Sequence, residues 1–176
     1  MRIRFEDIPD QGLTVSLDDP SWLPGDELTV QGPIRARLHL ERRGERVLCD
    51  LELVLSLILA CDRCLGPLVL PVDERVQLVL EVAGAPEPDL GGGPEEEEDT
   101  DTVLLEEPVV EVESLLRQQL FLALPQKRLC ADDCPGLCPV CGANRRLQAC
   151  HCRPEIGRSP FAALATLAKG SGPGKD

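Results

Sequence analysis

Val47-Leu-Cys-Asp-Leu-Glu-Leu-Val-Leu-Ser-Leu-Ile-Leu-Ala60, followed at once by Cys61-Asp-Arg-Cys64-Leu-Gly-Pro67, decides how this chain is read. The run opens with apolar and polar residues alternating, the period of a half-buried strand. It ends nearly all apolar, as a strand covered on both faces would. A helix through 50–60 is the alternative, because the run is rich in Leu. Upstream, Val30, Ile34, Ala36, Leu38 and Leu40 alternate with polar residues, and Arg35, Arg37 and His39 fall on the opposite face. Glu41-Arg42-Arg43-Gly44-Glu45 supplies a hairpin turn, with Gly44 free to take a left-handed conformation. Downstream, a third run extends from Leu68 to Val82. Residues 1–26 are turn-rich, with Leu13, Val15 and Leu17 alternating as in a short strand. Residues 1–82 therefore read as a β-rich domain of three or more antiparallel strands, curling into a small barrel or half-barrel.

Composition shifts after this part. Ala-Pro-Glu-Pro, three glycines at 91–93 and Glu95–Glu98 break any regular pattern, and residues 83–108 read as an acidic disordered linker. Ten acidic and no basic residues lie between Pro86 and Pro108, which is ten of the chain's 13 units of net negative charge. The acidity thus belongs to this segment more than to the folded parts. From Val109 the period becomes helical: Val112, Leu115, Leu116, Gln119, Leu120 and Phe121 share a face, and Pro125 stops the helix. Ser159-Pro160-Phe161 then opens a second short helix, with Pro in its first turn. Residues 109–168 read as helix, cysteine-rich segment and C-terminal helix, and 169–176 as a fraying tail. The fold class expected is α+β.

The chain has 176 residues, enough to bury a real core, and 43 % of them are hydrophobic, which rules out a wholly disordered chain. Aromatics make up 2 %, so platforms that stack single-stranded bases are not expected. A sequence pI near 4.6 argues against indiscriminate nucleic-acid binding. The longest apolar stretch, from Leu53 to Cys61, is less than half of the ~20 residues a membrane-spanning helix needs. No membrane association is expected. Met1-Arg-Ile-Arg-Phe-Glu-Asp carries no apolar signal core, so a cytoplasmic location is expected.

In a reducing compartment, clustered thiols more often hold metal than form disulfides. Nine cysteines stand at 49, 61, 64, 130, 134, 138, 141, 150 and 152. Eight fall into close pairs, which is the number two four-thiolate sites require; Cys49 is left over as a small strand residue. Cys138-Pro-Val-Cys141-Gly is a metal-binding knuckle: two thiolates grip one tetrahedral ion, and Gly142 turns backbone N–H groups toward sulfur. Cys150-His-Cys152 offers a second bite, with Gly142 and Asn144 suiting a hairpin between them. Cys61-Asp-Arg-Cys64 and Cys130-Ala-Asp-Asp-Cys134 are further bites. They close a second site if they meet; alternatively Cys130 and Cys134 join Cys150 and Cys152, leaving Cys61 and Cys64 beside the Cys138 knuckle. Spacing does not choose between these pairings. All-thiolate tetrahedral sites favour Zn2+, one or two ions here, over an iron–sulfur cluster.

Other chemistries have less support. A redox Cys-x-x-Cys opens a helix that lowers the thiol pKa, whereas Cys64 is followed by a turn and a β-like run. His39 reads as an exposed strand residue and His151 as a bystander between ligands, so nucleophilic cysteine catalysis lacks a base. No enzyme activity and no small-molecule substrate are expected. Arg63, Lys127, Arg128, Arg145, Arg146 and Arg153 cluster near the cysteines. They offset the charge of thiolate-bound metal, and Lys127, Arg128, Arg145 and Arg146 are also candidates for contact with a partner.

Cys61-Asp-Arg-Cys64-Leu, the helix ending Leu122-Ala123-Leu124-Pro125, then Cys130-Ala-Asp-Asp-Cys134-Pro-Gly-Leu-Cys138-Pro-Val-Cys141-Gly-Ala-Asn144 together resemble the YceD family of large ribosomal RNA subunit accumulation proteins. Cys150-His-Cys152 and Ser159-Pro160-Phe161-Ala-Ala-Leu164 are similar to its C-terminal pattern, and the resemblance covers about residues 28–168. It departs from the family in the ribbon loop, where Asn144-Arg145-Arg146-Leu147 replaces the usual Asn-Leu-Asn-like stretch. Some family members keep counterparts of Cys61, Cys64 and Cys134 with a ligand near Cys130, yet lack the later cysteines. This implies two sites, Cys61/Cys64/Cys130/Cys134 and Cys138/Cys141/Cys150/Cys152. The resemblance further implies a non-enzymatic factor for accumulation or processing of large-subunit (23S) ribosomal RNA, with ribosomal RNA or a ribosomal protein as partner. A protein-binding adaptor that uses the acidic segment, and a Cys-x-x-Cys redox protein, are the competing readings.

Overall fold

The alternation of the deciding stretch persists to its end. A computed structural model describes residues 1–25, 28–84 and 101–153. The strands are β1 (Arg2–Arg4), β2 (Leu13–Ser16), β3 (Thr29–Val30), β4 (Arg35–Arg43), β5 (Arg46–Ala60), β6 (Pro67–Val82), β7 (Asp101–Leu105) and β8 (Val109–Glu111), followed by helix α1 (Val112–Ala123). Along β5, Val47, Cys49, Leu51, Leu53, Leu55, Leu57 and Leu59 are buried, while Leu48 and Ile58 between them are each 38 % exposed. The expected cover on both faces is therefore not found. Ile58 lies beside Thr29 of β3 and Val69 of β6, so its apolar neighbours are within the sheet and not in a second layer.

β4, β5 and β6 form a long antiparallel meander, and the two-residue turn Gly44-Glu45 joins Arg43 to Arg46 with Gly44 at φ +65°. The full path is β2-β4-β5-β6-β7, with β3 pairing β5 beyond the end of β4. A barrel closes when the first and last strands of the path pair. Here β2 pairs with β4, β7 pairs with β6, and no ladder joins β2 to β7 among the described residues. The sheet is open, which corrects the expectation of a closed barrel.

β7 is a second correction. Residues 101–105 were expected within the disordered linker, but they form a strand parallel to β6, in the register Leu78↔Asp101 to Val82↔Leu105. The acidic count hid a short apolar run, Val103-Leu104-Leu105, in which Val103 and Leu105 pack on the core and Leu104 is exposed. Residues 85–100 of the acidic segment, the expected C-terminal helix and the tail lie outside the described residues.

α1 buries Val112, Leu115, Leu116, Gln119 and Leu120. Val112, Leu115, Leu116 and Leu120 join the sheet residues and Trp22 in one apolar cluster, and the Arg117 guanidinium donates to the Trp22 carbonyl. Phe121, counted by its spacing with the buried face, is 46 % exposed. The chain divides into a first unit of 1–60 with 67–128, and a second of 61–66 with the residues from 129 onward. The helix thus belongs with the sheet and not with the cysteine-rich segment, as the expected division at 109 had it. Its apolar stripe needs an apolar cover, and the sheet supplies one. No helix among the described residues is long and apolar enough to cross a membrane.

The facing of β5 is testable. Leu57→Ala removes a side chain with no exposure and should cost about 2–5 kcal/mol of unfolding free energy in urea. Ile58→Thr, one residue further on the open face, should cost well under half as much. Equal losses at the two positions would contradict a sheet covered on one side.

Candidate metal centre

Two turns of the second unit have the same backbone. In Cys61–Gly66, the Cys61 N–H donates to the Gly66 carbonyl at 2.8 Å and the Leu65 N–H to the Cys61 carbonyl at 2.9 Å. In Cys138–Ala143, the Cys138 N–H donates to the Ala143 carbonyl at 2.8 Å and the Gly142 N–H to the Cys138 carbonyl at 2.9 Å. Both are knuckles that place two sulfurs on one side of a tight turn. The fifth residue of each takes a left-handed conformation, with φ +58° at Leu65 and +72° at Gly142. Glycine occupies that region freely, whereas a side chain there costs on the order of 1–2 kcal/mol. Leu65 pays this strain while remaining 65 % exposed.

Each knuckle is completed by a later pair. The sulfurs of Cys61, Cys64, Cys130 and Cys134 lie within 4.8 Å of one another, as do those of Cys138, Cys141, Cys150 and Cys152. This is the two-site pairing implied by the resemblance, and the alternative pairing of Cys130 and Cys134 with Cys150 and Cys152 is not formed. Within the first tetrad, Cys61 Sγ is 3.8 Å from Cys134 Sγ, and Cys64 Sγ is 3.7 Å from Cys130 Sγ. In the second, Cys141 Sγ is 3.5 Å from Cys150 Sγ. A tetrahedron of thiolates about 2.3 Å from a central zinc has an edge of about 3.8 Å. A disulfide needs about 2.05 Å, and all nine cysteines are free. The sulfurs stand as the corners of a single-ion site.

Charge and hydrogen bonding prepare the sulfurs for a cation. Burial is the largest influence on the Cys61 thiol and opposes ionisation, but backbone N–H groups of Cys130, Cys64 and Arg63 outweigh it and bring the thiol down to about 6. The Cys130 N–H lies 3.4 Å from Cys61 Sγ. N–H groups of Cys141 and Val140 lower the Cys138 thiol to about 6 in the same way. At Cys134 the Gly136 N–H favours the thiolate, yet burial and the sulfurs of Cys130, Cys64 and Cys61 push the thiol up to about 12. The Cys150 and Cys141 sulfurs do the same to Cys152. Four thiolates cannot ionise together without a positive charge between them, and a divalent ion supplies it. Cys49 stands apart, buried in β5, with its thiol pushed up to about 12 by burial.

The interior of this unit is sulfur. Its buried residues include Cys61, Cys64, Cys134 and Cys138, while Leu65, Val140 and Leu147 are exposed. The apolar cluster of the protein takes no residue from 61–66 or 129–153. Arg63 braces the first tetrad, its guanidinium donating to the carbonyls of Asp132 at 3.1 Å and Cys134 at 3.2 Å. The Cys130 thiol accepts from the Arg146 guanidinium, and this sulfur charge raises the Arg146 pKa. Arg145 is exposed, and so is His151, between the two ligands of the Cys-x-Cys pair. Lys127 is exposed and Arg128 half-buried at the end of the first unit. His39, expected to be exposed, is partly covered and bonded to Thr14 Oγ1 at 3.0 Å and to Glu41 at 3.3 Å. The left-handed Leu65 was not foreseen; its place after Cys-x-x-Cys, matching Gly142, was the available signal.

Leu65→Gly should relieve the strain at the first knuckle. We expect a gain of about 1 kcal/mol in stability, read as a higher denaturant midpoint for the metal-loaded second unit. A loss would mean that the leucine side chain packs within the protein.

No solved structure matches the chain. Curated relatives include uncharacterized proteins from two strains of Mycobacterium tuberculosis and one of Mycobacterium bovis. Each is 32 % identical over 149 residues, covering 73 % of this chain and 66 % of the relative. The chain thus spans just under two thirds of the length of these relatives. A family model described as large ribosomal RNA subunit accumulation protein YceD matches residues 49–168, a range that holds β5, β6, α1 and all eight tetrad cysteines. Through that match, and with cysteines gathered into two groups able to hold metal, the chain belongs to the YceD family.

Proposed function

We propose that this protein is a non-enzymatic, zinc-stabilised ribosome-biogenesis factor of the cytoplasm that promotes accumulation or processing of large-subunit (23S) ribosomal RNA. The observation that carries the reading is the match over residues 49–168 to a family described by accumulation of the large ribosomal RNA subunit. Zinc is the ion the donor set favours, since four thiolates at tetrahedral spacing suit it. A multi-iron cluster would hold the thiolates farther apart than the observed 3.5–3.8 Å.

The metal contributes fold more than chemistry. With a closed four-sulfur shell, no coordination position is left for water or substrate, which is the mark of a structural and not a catalytic zinc. Binding such an ion supplies on the order of 10 kcal/mol to folding at neutral pH. The half-buried Leu129 and Leu137 could not approach that. Protein as purified should hold two zinc ions per chain, measured by elemental analysis. Cys64→Ser and Cys150→Ser should each lower the count toward one, and a count unchanged in either variant would remove that tetrad from the account.

Ribosomal RNA is the proposed partner, with exposed Arg145 and Lys127 as contact candidates. Arg146 is the weaker candidate because its guanidinium serves the sulfurs. Each lost phosphate contact lowers the slope of log affinity against log salt by about 1. Arg145→Ala should therefore weaken binding to large-subunit RNA and flatten its salt dependence by about that amount. Unchanged binding would exclude Arg145. The ten acidic residues between Pro86 and Pro108 favour a second reading, an adaptor for a basic ribosomal protein. Nuclease treatment separates the two: co-purification of ribosomal material that survives it supports the adaptor, and loss supports RNA contact.

A further inference from the structure

Two hydrogen bonds join the two sulfur tetrads, and both arise from the segment that holds the second one. The Leu137 N–H, next to the ligand Cys138, donates to the Arg63 carbonyl at 3.1 Å. The Asn144 side-chain amide donates to the Cys64 carbonyl at 3.0 Å. Arg63 and Cys64 are consecutive residues of the first knuckle, so its back is held at two adjacent carbonyls.

The donors are held by the hairpin that carries the second knuckle. Leu137 and Asn144 face each other in an antiparallel bridge, the Cys138 N–H donates to the Ala143 carbonyl, and the Arg145 N–H donates to the Gly136 carbonyl at 3.1 Å. Asn144 Oδ1 accepts from the Arg146 N–H at 3.0 Å, and the Asn144 carbonyl accepts from the N–H groups of Leu147 and Gln148. Gly136 allows the close approach: at φ +71°, a Cβ there would lie 3.1 Å from the Arg63 carbonyl oxygen. The hairpin has no apolar interior of its own, so an ion in the second tetrad is what gives it shape.

We propose that the two tetrads load cooperatively, with the Gly136–Arg145 hairpin as the link and Asn144 as a positioning residue that holds the first knuckle from the second site. The inference rests on the two-metal reading above. Linkage makes the coupling reciprocal: each filled site strengthens the other by the same factor. Two hydrogen bonds of ordinary net strength correspond to a factor of about 25, and the Asn144 bond alone to about fivefold.

The experiment is a set of Co2+ and Zn2+ titrations against a competing chelator, followed by the cobalt–thiolate absorption. The full chain is compared with Cys61→Ser/Cys64→Ser, with Cys141→Ser/Cys150→Ser, and with Asn144→Ala, which keeps all eight ligands. Disabling either tetrad should weaken the remaining one about 25-fold, by equal factors in both directions. Asn144→Ala should still bind two ions, with the coupling reduced about fivefold. Two ions bound at affinities that ignore the state of the other tetrad would overturn the coupling and leave the metal centres standing. Full coupling retained in Asn144→Ala would overturn the role of that residue. An intact chain that binds no cobalt or zinc would overturn the metal reading itself.

Discussion

A grip of sulfur on a divalent ion stands in the second unit where an apolar core stands in the first. The sheet and α1 share one cluster of buried Leu, Val and Ile residues with Trp22. Residues 61–66 and 129–153 contribute nothing to it, and what they bury is mainly cysteine. Ordering each of these residues costs about 1–2 kcal/mol of backbone entropy, against which a few half-buried leucines offer little. Eight thiolates around two ions are the term of the right size. The backbone N–H groups aimed at Cys61 and Cys138, and the arginines beside the sulfurs, follow from the same need to stabilise negative charge on sulfur.

The first unit explains how one half of a tetrad is presented. β5 and β6 are strands of 15 and 16 residues, paired from Val47↔Leu80 to Ala60↔Pro67. The turn between them is the first knuckle. The partner ligands Cys130 and Cys134 reach it from a segment 66 or more residues later in the chain. A metal there closes a long loop, which is where a cross-link restricts the unfolded chain most.

Much of this was legible in the residues. The alternation of β4 and β5, the Gly44 hairpin and the buried stripe of α1 are local patterns, and local patterns survive translation into structure. The Cys-x-x-Cys turns were equally plain, because ligand spacing and the following turn residue are read directly. The pairing of the four bites was not: it depends on which segments meet in space, and spacing left two arrangements open until family resemblance favoured one. The barrel was expected because nothing in a strand's own sequence tells whether the sheet's edges meet. β7 was hidden because ten acidic residues around it outweighed three apolar ones. Leu65 went unnoticed because propensity argues against leucine at a left-handed position, so only the comparison of two knuckles exposes it.

The account's central claim concerns what lies between the sulfurs, and X-ray absorption at the zinc edge of the purified chain measures it most directly. The account predicts zinc with a single shell of four sulfur neighbours at about 2.3 Å. A shell rich in nitrogen or oxygen, or a folded second unit containing no metal, would contradict it.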